Sequence, residues 1–198
     1  ENDPAKKQQY LEKINSSAGL LLDLVNDTLE LSRIESGKST IHEEIVNEEE
    51  IIPAVVSSLR PSAELKGIKL ETDFSIITNH TVKCDKLKVE KIALNLISNA
   101  IKYTPEGGTV KVQFIPGPKD FPKCDYSLVV EDNGIGMSKD FLKHMFEPFS
   151  QEKREEARKT QGTGLGLAIV KRYVDQLQGR IDVKSTKHKG TRWIVSLP

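Results

Sequence analysis

Cysteine is scarce in this chain. Cys84 and Cys124 stand far apart among 198 residues, with no CxxC pair and no histidine at metal-ligand spacing. That excludes a disulfide scaffold, and two lone structural thiols fit a reducing compartment. A surplus of one charge sign is missing too: 29 Lys and Arg balance 29 Asp and Glu. Nothing draws the chain as a whole to nucleic acid or to acidic membranes, so any phosphate binding must be local. Long apolar runs are absent. Stretches such as Gly19 to Leu22 fall far short of the roughly 20 residues that span a bilayer, and no signal peptide opens the chain. Internal repeats and low-complexity tracts are also lacking. What remains, with 37% hydrophobic residues, suits one sizeable globular domain plus a smaller appendage.

From Pro4 to Glu35 the residues Tyr10, Ile14, Leu21, Leu24 and Leu31 recur at alternating steps of three and four, with Ser17 and Thr28 completing the seam. This pattern predicts a long helix with a coiled-coil stripe. Leu11, Ala18, Leu20, Leu22, Val25 and Leu29 widen the stripe, as in a helix taken from a bundle or dimer. Gly37 stops it. A strand is expected over Thr40 to Asn47, a helix over Glu48 to Lys66 broken or restarted near Pro53, and strands over Ile68 to Phe74 and Thr81 to Cys84. Asp85 reads as the N-cap of a helix ending at Tyr103 before Pro105 and Gly107-Gly108. Strands follow at Thr109 to Ile115 and Tyr126 to Glu131, then a short helix at Lys139 to Met145, a charged loop and a helix to Leu177. Two strands, Arg180 to Ser185 and Thr191 to Leu197, finish the chain. Helices mixed with hairpin strands argue an α+β fold, a two-layer α/β sandwich with helices on one face of a mixed sheet.

"TQGTGLGLAIVKRYV", Thr160 to Val174, packs three glycines into five residues at a helix start, where backbone N–H groups can hold an anion. The spacing of Gly162, Gly164 and Gly166 is G-x-G-x-G after a charged segment, not the G-x-G-x-x-G after a strand that a Rossmann site needs. "SGKST" at Ser36 to Thr40 has the tail of a P-loop but lacks the first glycine and follows a helix. Three further segments join the glycines. "NLISNAIKYTP" sets Asn95 and Asn99 one helical turn apart, with Lys102 a step round. Two amides and an ammonium facing one way suit a metal ion with its phosphates. "VVEDNGIGM" ends an apolar strand on Asp132 beside Gly134 and Gly136; the plain alternative is a hairpin turn. "MFEPFSQ" is an aromatic clip before the charged loop.

In this order the four segments closely resemble the N, G1, F and G2 boxes of bacterial sensor histidine kinases, and the match spans about Thr40 to Pro198. The resemblance implies the Bergerat ATP-binding fold of the GHKL superfamily, shared with type II topoisomerases, heat-shock chaperones and mismatch-repair ATPases. It divides the chain into 1–39, resembling the second helix of the dimerisation and phosphoacceptor hairpin, and 40–198, the catalytic ATP-binding domain. It implies ATP and Mg²⁺ as cofactors, with Asn99 as Mg²⁺ ligand, Asn95 beside it and Lys102 on phosphate; these three form the catalytic set. Tyr103 would meet the ribose side. Asp132 would read the adenine amino group, with Gly134, Ile135 and Gly136 closing on the base and Thr191 backing Asp132. Phe146 and Phe149 would anchor an ATP lid from about Ser150 to Thr163. Gly162, Gly164 and Gly166 would hinge it and place the backbone N–H groups of Leu165 and Gly166 toward the phosphates, with Thr163 also in the ATP-binding set. Of the lid cations Lys153, Arg154, Arg158 and Lys159, none is singled out, because Glu152, Glu155 and Glu156 nearly cancel them.

Family members that hydrolyse ATP carry a glutamate four residues before the metal-binding asparagine, and here that position is Asn95. The difference fits a kinase that sends the γ-phosphoryl to an imidazole rather than to water. The family's phosphoacceptor histidine is followed by an acidic residue and a proline, and none of His42, His80, His144 or His188 has that setting. The expectation is a fragment that binds ATP but cannot phosphorylate itself on the usual histidine. It implies a cytosolic portion of a membrane-anchored sensor, homodimeric when whole, serving a response regulator or its own receiver domain, with no nucleic-acid partner and no direct membrane contact. The alternative is a non-catalytic nucleotide-binding, anti-sigma or chaperone-like ATPase module of the same fold.

Overall fold

The computed structural model describes residues 4–77, 81–152 and 162–198. Helix α1 (Pro4–Glu35) leads into β1 (Glu44–Asn47), α2 (Glu48–Leu65), β2 (Lys69–Asp73), β3 (Thr81–Cys84) and α3 (Lys86–Tyr103). Then come β4 (Thr109–Pro116), β5 (Tyr126–Asp132), a 3-10 turn (Phe141–Lys143), α4 (Gly166–Gln176), β6 (Arg180–Thr186) and β7 (Gly190–Ser196). Five strands form one sheet in the order β2-β4-β5-β7-β6, and β1 pairs with β3 in a small separate ribbon. Only the β2–β4 pair of the large sheet is parallel. The expected mixed sheet in a two-layer sandwich is what forms.

Helix α3 shows how the sequence sets the layers. Ile92, Leu96, Ile97, Ala100 and Ile101 recur every three or four residues and are buried. They meet Val110, Val112, Val130, Trp193 and Val195 of the sheet and Ile169, Val170 and Val174 of α4 in one continuous core. Each such aliphatic side chain contributes roughly 1.5–3 kcal/mol when removed from water. Both ends of α3 are closed by side chains. Asp85 caps the start, accepting from Lys88 N at 3.1 Å. At the far end Lys66 Nζ donates to the carbonyls of Ile101 (2.8 Å) and Lys102 (2.5 Å), which the helix leaves unpaired.

Three elements depart from the sequence reading. The strand expected from Thr40 begins only at Glu44, because the preceding segment is tied elsewhere: His42 N donates to Asp85 Oδ2 and Thr40 O accepts from Lys88 Nζ. The helix expected over Lys139 to Met145 is a single 3-10 turn, started by Ser138 Oγ accepting from Phe141 N. Helix α2 runs unbroken through Pro53 and Pro61. Its buried face, with Ile51, Ile52, Val55 and Val56, outweighs the hydrogen bonds that two prolines remove.

The two halves of α1 differ. Tyr10, Ile14, Leu21 and Leu22 are exposed, whereas Leu31 and Ile34 join the core. Glu30 fastens the buried half, accepting from Tyr173 Oη of α4 at 2.5 Å and pairing with Lys91 of α3 at 2.9 Å.

Candidate functional site

A slot of about 440 Å³ opens between α3, the loop after β5, β7, the start of α4 and α1. A smaller cavity of about 270 Å³, walled by Ile51, Ile52, Phe114 and Val195 among others, shares no residue with it. One end of the slot is centred on Asp132, the last residue of β5, which stands opposite Thr191 of β7. Its side chain is buried and accepts from Gly134 N at 2.9 Å and from the Thr191 backbone N–H. Among the described residues no cation pairs with it. Burial pushes the carboxyl up to about 6, the two N–H donors pull the other way, and Glu131 adds to the rise. It is a strong acceptor kept at a cost.

The loop after Asp132 is not the tip of a hairpin. Asn133 clips it to β4, its Oδ1 accepting from Thr109 N at 2.8 Å. Ile135 N donates to Tyr103 O at 3.1 Å, and His188 N donates to Ile135 O at 2.7 Å. Gly136 has φ +59, and a Cβ there would lie 2.0 Å from Thr186 O, so only glycine lets the loop rest on the β6–β7 turn. Ser185 completes this wall. Its Oγ accepts from Met137 N (2.8 Å), donates to Gly190 O (3.0 Å) and lies 2.9 Å from Thr191 Oγ1.

At the other end α3 turns Asn95, Asn99 and Lys102 into the slot, with Tyr103 beside them. Asn95 donates to Lys91 O at 3.0 Å, while the Asn99 amide makes no hydrogen bond among the described residues. The Lys102 ammonium lies over the Tyr103 ring, 5.3 Å from its centroid. Burial, and then the charge of Lys66, holds it below the usual lysine range. The glycine-rich start of α4 closes this end. A Cβ on Gly162 would lie 2.7 Å from Lys102 Nζ, and one on Gly166 would lie 2.5 Å from Asn95 Oδ1. Three N–H groups, of Gly166, Leu167 and Ala168, precede the first intrahelical donor, Ile169.

The expected site residues divide. Asn95, Asn99, Lys102, Tyr103, Asp132, Ile135, Gly136, Gly162, Thr163, Gly164, Gly166 and Thr191 all line the slot. Gly134 lies behind it, holding Asp132. Leu165 is turned into the core, and its N–H goes to Thr163 Oγ1 at 3.3 Å. Of the aromatic clip, Phe146 packs on Trp193 with ring centroids 6.2 Å apart. Phe149 is instead 62% exposed, because its backbone rather than its ring makes the contact. It has φ +62, and Gly164 sits against its Cα and carbonyl carbon, a strained state for an aromatic residue. Gln151 Nε2 donates to Gly162 O at 2.7 Å, and Glu152 accepts from Ser138 N. Lys153, Arg154, Glu155, Glu156, Arg158, Lys159 and His80 lie outside the described residues.

Residues 84–198 match the family model described as histidine kinase-, DNA gyrase B- and HSP90-like ATPase. The chain belongs to that family. The autoinducer 2 sensor kinase/phosphatase LuxQ of Vibrio parahaemolyticus is 37% identical over 98% of the chain, which spans 22% of that relative's length. The solved structure of full-length ShkA in complex with AMPPNP is 28% identical with a TM-score of 0.78, covering 98% of this chain and 39% of that one. The histidine kinase AdeS of Acinetobacter baumannii shares the fold, at 23% identity and a TM-score of 0.71 over 100% of this chain and 86% of its own.

Within this ATPase fold the slot uses residues to which the sequence did not point. Trp193 shares the inner face of β7 with Thr191 and lines the slot, a placement that strand alternation could have suggested. Ser185 needed the β6–β7 register. Leu20, Asp23 and Asp27 come from α1, and nothing local to that helix marks them. The polar end fits a magnesium ion, because the Asn99 amide oxygen is a hard donor that lines the slot and accepts no hydrogen bond among the described residues. Magnesium takes few protein ligands and completes its shell with phosphate and water. No helix among the described residues is long and apolar enough to cross a membrane.

Proposed function

We propose that residues 40–198 are the ATP-binding catalytic domain of a sensor histidine kinase and that residues 1–39 contribute the second helix of its dimerisation hairpin. The observation that carries this reading is the two-ended slot, with a buried carboxylate, Asp132, at one end and Asn95, Asn99, Lys102 and the start of α4 at the other. Asp132 accepts the adenine amino group. Ile135, Gly136 and Thr191 shape the base pocket, and Tyr103 flanks the ribose. Asn99 would hold Mg²⁺, which when bound neutralises charge on the β- and γ-phosphates. Lys102 and the free N–H groups of α4 hold the phosphate oxygens, so the protein contributes position and charge rather than a covalent step. Asn95 stands where a water-activating glutamate would be needed, and its side chain is engaged with Lys91 O. The γ-phosphoryl therefore goes to a histidine nitrogen on the other hairpin helix, and from there to an aspartate of a response regulator or receiver domain.

None of the described histidines suits that role. His42 Nε2 lies 2.8 Å from Thr40 Oγ1, His144 packs edge-on to Phe141, and His188 sits in the β6–β7 turn at φ +61. With Mg-ATP the chain is expected to bind nucleotide and form no phosphohistidine, and to phosphorylate a separately supplied hairpin bearing the acceptor histidine. Stable phosphohistidine on this chain alone, or equal phosphotransfer by Asn99→Ala, would overturn the assignment.

A further inference from the structure

The α1 carboxylates in the slot have no part in that reading. Asp27 is half-buried and accepts from Thr163 Oγ1 at 2.8 Å. Thr163 lies between Gly162, which stands against the Lys102 ammonium, and Gly164. Asp27 is therefore at the Lys102 end of the slot. Its charged neighbours are of both signs. Burial raises its carboxyl above the usual range, Thr163 and Lys91 oppose that, and Glu30 and Asp23 reinforce it. Lys91 is shared, being paired with Glu30 at 2.9 Å.

Resting on the nucleotide reading of the slot, we propose that Asp27 sets phosphate specificity: while α1 is docked, its charge disfavours a nucleoside triphosphate relative to a diphosphate. A triphosphate brings one more negative charge than a diphosphate to the end where Asp27 sits. At an effective dielectric of about 20, one added unit charge some 10 Å away shifts an equilibrium about tenfold. Adenosine carries no phosphate and does not sense the residue. By linkage, the triphosphate loosens the contact of α1 with the slot as much as that contact weakens the triphosphate.

The test uses the 198-residue chain and its Asp27→Asn variant, which keeps an acceptor for Thr163 but loses the charge. Both are titrated with adenosine, ADP and a non-hydrolysable ATP analogue at saturating Mg²⁺. Asp27→Asn is expected to raise the ratio of ATP-analogue affinity to ADP affinity about tenfold and to leave adenosine binding unchanged. Asp23→Asn, exposed and one turn earlier, is expected to move the same ratio in the same direction by about twofold. An ATP-to-ADP affinity ratio equal to wild type, or one that falls, overturns the proposal. A fall would instead make Asp27 a favourable partner of the metal. Binding of no adenine compound by either protein overturns the nucleotide reading itself and the role of Asp27 with it.

Discussion

Two buried aspartates, Asp85 before α3 and Asp132 at the end of β5, are held in opposite ways. Asp85 is 3% exposed and surrounded by donors: the N–H groups of His42 and Lys88, and the Lys88 ammonium at 2.7 Å. Burial alone would raise its carboxyl, but these partners prevail and hold it below the usual range. Asp132 is 8% exposed and has two backbone N–H donors and, among the described residues, no cation. Its carboxyl is pushed up to about 6. A carboxylate that stabilises the fold is fully paired, whereas one left short of partners is stored for a ligand. The contrast separates the residue that builds the fold from the residue proposed to read the nucleotide.

The contrast breaks most visibly at Asp85. Asp85→Ala leaves the Lys88 ammonium buried without its counter-charge and uncaps α3, and should cost about 3–5 kcal/mol in urea unfolding. A loss under 1 kcal/mol would put the pair with ordinary surface bridges. Asp132→Asn should do the reverse, raising unfolding stability at pH 7.5 by roughly 2–3 kcal/mol while weakening adenine-nucleotide binding by about 1.5–3 kcal/mol. Unchanged affinity for an ATP analogue would show that the base lies elsewhere.

The pH dependences oppose each other. The depressed Asp85 contributes stability at neutral pH that is lost as pH falls through its folded-state value. The raised Asp132 contributes below its unfolded-state value of about 4 and loses that as pH rises through about 6. Nucleotide affinity at the Asp132 end should fall below pH about 6, as the acceptor gains a proton, and the wild-type decline should be absent from Asp132→Asn. Smaller effects come from the supports. Ser185→Ala removes the acceptor for Met137 N and should cost about 1 kcal/mol of stability with a three- to tenfold loss of affinity. Lys66→Met, which uncaps the end of α3 and removes a positive charge that acts on Lys102, should cost about 1 kcal/mol in unfolding and leave the affinity for adenosine, which carries no phosphate, within twofold.

Local chemistry made much of this legible in the sequence. The Asp85 cap and the strands β4 and β5 each depend on a few neighbouring residues, and each forms as expected. The slot was legible where one segment supplied several groups, as with Asn95, Asn99 and Lys102. It was illegible where distant segments had to meet. Ser185 joins the wall only because β6 and β7 pair in one register. Asp27 reaches Thr163 only through the docking of α1. The resemblance implied Phe149 as a lid anchor, but its backbone is left-handed and its ring is exposed.

The sole tryptophan has a practical consequence. Trp193 lines the slot and carries the Phe146 ring on its surface. An indole so placed emits from the floor of the site, with no second tryptophan to dilute its signal. Unlabelled protein can therefore report by fluorescence both the arrival of a ligand and any departure of the Phe146 clip.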